Sequence, residues 1–263
     1  MTEGVDYTWQ QATNLAGKRV LLTGCASGIG RAAAVLYGQA GATVYGGDVN
    51  VEAGEAAMAE IRSAGGKAEF VPLDLMKSES IDGFVDTVRQ KAGGTVDIVA
   101  SVAGVDIIKP FIKNDPQDWN LIINVNYIGA ARMLHRLLPS MIEAGQGGKL
   151  VTVASDAGRV GSSGETFYAG SKGAIIAFTK SLARELARYR INCNCVAPGP
   201  TTTPLFHGTV QPKLAEALVN AIPFKRLARP SEIAHSIVFL STPAADFITG
   251  QVFSVSGGLT MHG

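Results

Sequence analysis

Residues 18–41, KRVLLTGCASGIGRAAAVLYGQAG, begin with a short apolar run (18–23), break at Gly24 and resume as a helical pattern over 31–39 that Gly41 closes. An apolar run of that length before glycines reads as a strand, and the spacing after them as a helix. The loop between them is Thr23-Gly24-Cys25-Ala26-Ser27-Gly28-Ile29-Gly30, a GxxxGxG spacing. Glycines let backbone approach a pyrophosphate closely, and the helix N-terminus behind them offers unpaired N–H groups and partial positive charge. Gly24, Ser27, Gly28, Ile29 and Gly30 are therefore the candidate phosphate-cradle residues. Cys25 is either a small residue filling a tight loop or a thiol acidified by the helix end.

The same unit recurs along the chain. Strands are expected at 42–47, 68–73, 96–102, 149–154, 192–197 and 251–255, with helices at 51–64, 79–91, 120–141, 168–188 and 231–240. Alternation of this kind predicts an α/β fold, a doubly wound parallel sheet with helices on both faces. Residues 201–229 break the rhythm with several prolines and read as a lid set into one domain spanning 15–263, while 1–14 read as a polar N-terminal arm. In such folds ligands sit beyond the carboxyl ends of the strands, so the loops there carry the function.

Composition narrows the classes. With 263 residues and 46% hydrophobic content the chain can bury a sizeable core, and 23 Lys plus Arg nearly balance 22 Asp plus Glu. That balance argues against a nucleic-acid or anionic-membrane partner, and no apolar run approaches the roughly 20 residues of a membrane span. The opening residues lack a basic start followed by an apolar core, so a cytoplasmic protein is expected. Cys193 and Cys195, two apart on one strand, point to the same face about 6.6 Å apart and are not expected to bridge, and His135, His207, His235 and His262 are scattered, so no metal site is expected.

Asp48 ends the second strand about 20 residues after the glycine loop, where an acidic side chain accepts hydrogen bonds from the ribose hydroxyls of an adenosine. The same carboxylate repels a 2′-phosphate, and no cation follows in VNVEAG, so NAD is favoured over NADP. A turn or helix-capping role is the alternative for Asp48. Val49 stands beside it, and Asp74 with Leu75 ends the third strand, either at the adenine edge or, for Asp74, as a helix cap.

Tyr168 and Lys172, in YAGSK, lie one helical turn apart on a single face. A cation at about 4 Å in an effective dielectric near 20 contributes roughly 4 kcal/mol, enough to lower a phenol's pKa by about 3 units. The pair is a candidate acid/base, although tyrosine and lysine also meet by chance on many helices.

TGCASGIG, Asp48, Ser155 in VTVASDAG, YAGSK and APGPTTTP occur in an order that resembles the short-chain dehydrogenase/reductase family from about residue 15 to 258. The resemblance implies a Rossmann-type sheet of about seven parallel strands, a nicotinamide dinucleotide, and oxidation or reduction at a carbon bearing oxygen. It implies that Tyr168 is the general acid/base, that Lys172 lowers its pKa and holds the nicotinamide ribose, and that Ser155 hydrogen-bonds the substrate oxygen. Asn126, with Asn124 the weaker candidate, matches the asparagine that anchors a water. Pro198, Gly199, Thr201 and Thr203 match the loop that grips the carboxamide, and Ala103 and Gly104 keep the close approach to the cofactor. The family's NNAG is here Ser101-Val102-Ala103-Gly104, which puts local sheet hydrogen bonding in question. Homotetramers built through the two long helices are also implied.

The expected reaction interconverts a secondary alcohol and a ketone with NAD. Asp106, Ile107, Asp156, Val160, Leu205 and Phe206 are the expected pocket residues. An apolar lid suits a neutral or weakly polar substrate, cyclic or aromatic among the options. An NADPH-dependent reductase of carrier-bound 3-oxoacyl groups and a non-catalytic dinucleotide sensor are the rival readings.

Overall fold

The sheet is built on β1 (Arg19–Thr23), β2 (Thr43–Asp48), β3 (Lys67–Pro72), β4 (Ile98–Ser101), β5 (Gly148–Val153), β6 (Ile191–Pro198) and β7 (Val252–Val255). In the computed structural model, which describes residues 8–261, all seven are parallel and ordered β3-β2-β1-β4-β5-β6-β7. The order reverses between β1 and β4, which opens a crevice at their carboxyl ends.

The helices are α1 (Trp9–Ala12), α2 (Gly28–Gln39), α3 (Val51–Ser63), α4 (Ser78–Lys91), α5 (Pro116–Ile123), α6 (Gly129–Ala144), α7 (Ala157–Val160), α8 (Thr166–Leu186), α9 (Pro204–Thr209), α10 (Pro212–Ala221) and α11 (Pro230–Leu240). Successive strand residues point to opposite faces. Val20 and Leu22 therefore join a core with Tyr37 of α2 and Ile233 and Ile237 of α11, while Leu21 joins one with Phe84, Leu137 and Leu186 from α4, α6 and α8. Helices cover both faces, which is why the strands read as continuous apolar runs rather than alternating ones.

Several boundaries move for local reasons. The helix expected at 120–141 starts at Pro116, because the Asp115 carboxylate accepts from the N–H groups of Gln117 and Asp118. It passes through a π turn at Asn124–Ile128 and continues as α6 to Gly145, whose φ of 64° ends it. β4 is shorter than the 96–102 expected. Of the expected polar arm, residues 1–7 lie outside the described residues, as does His262; Thr8 caps α1 in a capping box with Gln11.

The sheet hydrogen bonding left in question by Ser101-Val102-Ala103-Gly104 is supplied from β1. Thr23 Oγ1 accepts from the N–H of Val102 at 3.1 Å and of Ala103 at 3.2 Å. Thr23→Val keeps the shape and leaves those donors unmatched, so it is expected to cost about 1–3 kcal/mol. Urea unfolding with an unchanged m value checks it.

Candidate active site

The loop after β1 is shaped by contact with its own backbone. A Cβ on Gly30 would lie 1.9 Å from the Gly24 carbonyl oxygen, and Gly24 itself has φ +80°. Ser27 precedes α2 in extended conformation without a side-chain cap bond, and the first turn carries no acidic residue. The N–H groups at the head of α2 are thus not taken by a side chain, which suits a phosphate. Gly28 is close to Thr203, whose Cγ2 would be 3.1 Å from a Cβ there.

Asp48 closes this loop from the side. Its Oδ2 accepts from Ala26 N–H at 3.0 Å and its Oδ1 from Asn50 N–H at 2.9 Å, while Asn50 caps α3. Val49 beside it is 71% exposed. Asp74 accepts from Met76 N–H at 2.9 Å and pairs with Lys77 at 3.3 Å, so its carboxylate is engaged in its own turn. The Leu75 side chain is packed in the core. A glycine cradle, a helix end without a capping side chain and an acidic strand end together fit the pyrophosphate and ribose of a dinucleotide.

Asn126 sits in the π turn and is buried. Its Oδ1 accepts from Val105 N–H at 2.8 Å, and its Nδ2 donates to the Val105 carbonyl at 2.9 Å and to Ser171 Oγ at 3.0 Å. Asn124 instead donates to the Asn120 carbonyl on an exposed face. Lys172 is 3% exposed, and its Nζ donates to the Val153 carbonyl at the end of β5 at 3.0 Å. It lies 5.7 Å from the Tyr168 ring centroid, and Ser155 lines the same cavity. A side chain on Gly104 would meet Lys172 Nζ at 3.0 Å, so the loop after β4 passes hard against the ammonium.

The electrostatics differ from the helix-spacing expectation. Burial pushes the Tyr168 phenol above its ordinary value, against the opposing hydrogen bond from Ser155, and the Asp106 and Glu165 carboxyls push it further. Burial pushes Lys172 down to about 8. Desolvation is the largest influence on both groups, Lys172 being buried and Tyr168 half-buried at the cavity wall.

Ser155, Tyr168 and Lys172 wall a cavity of about 560 Å³. Pro198, Gly199, Thr201 and Thr203 border it from the β6 end, Val160 from α7, and Leu205, Phe206, Leu214 and Leu218 from α9 and α10. Thr201 Oγ1 donates to the Gly199 carbonyl at 2.8 Å, and Thr203 caps α9.

A family model described as "Enoyl-(Acyl carrier protein) reductase" matches residues 24–260. The chain belongs to the short-chain dehydrogenase/reductase family. It is 36% identical to the 3-oxoacyl-(acyl-carrier-protein) reductase FabG of Thermotoga maritima, over 94% of this chain and 99% of that protein. It is also 36% identical to the cyclopentanol dehydrogenase of a Comamonas species, over 93% and 98%. Among solved structures, a 7α-hydroxysteroid dehydrogenase complexed with NADH and 7-oxo glycochenodeoxycholic acid superposes with a TM-score of 0.91 at 30% identity, covering 96% of this chain and 98% of that one. Short-chain dehydrogenases/reductases are oxidoreductases that use nicotinamide dinucleotides, NAD or NADP.

Within this family framework three pocket expectations change. Val102, Gly104, Asp106 and Ile108 line the cavity, and Ile107 does not, because the extended segment after β4 alternates its side chains. Asp156 reaches the wall, yet its carboxylate accepts from the Ser254 and Thr260 hydroxyls and from Arg159, so it fastens the segment after β7. That segment brings Leu259 and Thr260 to the cavity, and α2 brings Ile29; sequence reasoning placed Ile29 only at the phosphate and missed the other two. Glu165 was missed as well, though it lies three residues before Tyr168 on the same helical face.

Glu165 and Asp106 are a pair of acids on one cavity wall. Asp106 Oδ1 is buried and receives no N–H or hydroxyl among the described residues. Burial first, then Glu165, pushes Asp106 up to about 8. A raised carboxyl binds more protons folded than unfolded, so its contribution to stability falls as pH rises from about 4 to about 8. Asp106→Asn is therefore expected to gain thermal stability over wild type progressively across that interval, with equal melting temperatures near pH 4; parallel melting curves against pH contradict it.

Proposed function

We propose that the chain is an NAD-dependent dehydrogenase interconverting a neutral or weakly polar secondary alcohol and its ketone. The observation that carries this is the convergence of Ser155, Tyr168 and a buried Lys172 on the wall of one cavity whose lid side is apolar. A nicotinamide dinucleotide, when bound, supplies the hydride acceptor and, oxidised, a positive charge at the site.

The chain's own residues then divide the work. Ser155 orients the substrate oxygen, and Tyr168 takes the hydroxyl proton in oxidation and returns it in reduction. Lys172, held by the Val153 carbonyl, stabilises the phenolate when charged. Asn126, by holding Val105, fixes the segment that runs past the ammonium. Gly24, Ser27, Gly28 and Gly30 hold the pyrophosphate and Asp48 the adenosine ribose. Pro198 to Thr203 hold the carboxamide, and residues 201–229 act as the substrate lid on a single domain.

The family-model description and the Thermotoga relative favour a second reading, an NADPH-dependent 3-oxoacyl carrier reductase. Against it stands Asp48, whose carboxylate would face a 2′-phosphate. A non-catalytic dinucleotide sensor would not require the Ser155–Tyr168–Lys172 set. In the favoured reading the enzyme is a cytoplasmic homotetramer, in keeping with its three free, buried cysteines and with the family's habit of assembling through its long helices.

Tyr168→Phe is expected to lose turnover by at least about a hundredfold while still binding NADH, read by fluorescence titration. Near-wild-type turnover sinks the acid/base assignment. The same titration is expected to show NADH binding at least about tenfold tighter than NADPH, and the opposite order hands the site to the carrier reductase.

A further inference from the structure

The Asp106–Glu165 pair has no part in the acid/base chemistry above, yet it borders the reacting group. Glu165 caps the start of α8, so Glu165, Tyr168 and Lys172 follow one helical face. Asp106 arrives from the opposite wall on the segment after β4. The two are brought together by a strand-like contact, Lys109 N–H donating to the Gly164 carbonyl at 2.9 Å. Lys109 is itself pinned by Asp118 at 2.6 Å. Phe167 stacks on Trp119 at 4.7 Å and on Phe111 at 5.9 Å, holding the first turn of α8 against the same segment. The pair is thus fixed by packing from both sides, and both carboxyls line the cavity.

A buried carboxyl kept only for structure is normally satisfied by donors. Here Asp106 Oδ1 has none among the described residues, and Glu165, another acid, lines the same cavity wall. Two acidic side chains side by side make a wall of acceptor oxygens with negative potential. Such a wall accepts from a neutral hydroxyl. It opposes a carboxylate or phosphate.

We infer that the Asp106–Glu165 pair is the specificity-determining contact of the substrate pocket, receiving a neutral hydroxyl substituent near the reacting carbon and excluding an anionic one. The inference rests on the alcohol dehydrogenase reading and names the substrate class within it: hydroxylated secondary alcohols rather than simple alcohols or free hydroxy acids.

The test compares kcat/KM at pH 7 for 2-butanol, 2,3-butanediol, ethyl 3-hydroxybutyrate and 3-hydroxybutyrate in wild type, Asp106→Asn and Glu165→Gln. In wild type the diol should exceed 2-butanol by about tenfold or more, reading the hydroxyl contact. The acid should fall at least about tenfold below its ester. Either substitution removes one acidic group from the wall, so the acid-to-ester ratio should rise about tenfold and the preference of the diol over 2-butanol should shrink, with NADH affinity retained as a check on folding. Turnover without those preferences, or variants that slow all four substrates equally, overturns the inference and leaves the dehydrogenase reading standing. No oxidation of any of the four, and no reduction of the matching ketones, with either NAD(H) or NADP(H), overturns both.

Discussion

The Asn126 carboxamide ties three parts of the molecule together, and the site depends on that tie. It satisfies both the N–H and the carbonyl of Val105 and donates to Ser171, whose hydroxyl donates in turn to the Tyr168 carbonyl at 2.7 Å. The segment after β4, the helix from Pro116 to Ala144 and the start of α8 are therefore in fixed register. An uninterrupted α-helix would carry residue 126 at a different angle. The π turn at Asn124–Ile128 supplies the local rewinding, a device often found where a helix must aim one side chain.

From that register the electrostatics follow. Lys172 and Tyr168 sit within the crevice between β5 and α8, where water is largely excluded, and both move toward their neutral forms. The consequence is that neither group is preset for proton transfer by its partner alone. The positive charge of an oxidised nicotinamide, were one held here, would favour the ionised phenol, which would couple acid/base competence to cofactor occupancy. Ser155 contributes in the same direction, because a donor to the phenol oxygen favours the charged form.

The fold was legible because its signals are local and repeated. Six strand–loop–helix units and a last strand carry their own apolar runs, and the crossover rule gives the connections their hand. Tyr168 and Lys172 were legible for the same reason, since helical spacing places them together. Their proton affinities were not, because desolvation is a property of the walls built around them by residues far apart in sequence. Ile107 was misjudged and Ile108 overlooked because the segment after β4 has no periodic pattern to give its phase. Asp156 reaches the pocket as expected, but its partners Ser254 and Thr260 were not legible because they lie about a hundred residues away. Glu165 carried a usable signal, one turn before Tyr168, that attention to the known pair concealed.

Stability is distributed unevenly between chemistry and selection. The proposed catalytic side chains lie just past β5, in the π turn and within α8, beside strands β5 and β6 that are buried along nearly their whole length. The lid is fastened chiefly at its base, where Thr202 N–H donates to the Ala228 carbonyl at 2.9 Å and Ala228 N–H to the Pro200 carbonyl at 3.0 Å. Neither α9 nor α10 contains a fully buried residue. Elements with so little buried surface open at low free-energy cost, so the lid can yield to a substrate while the groups that move the proton stay in place. The carboxyl pair belongs to the rigid part rather than to the lid. Shape is therefore read by a wall that adapts, and charge by one that does not.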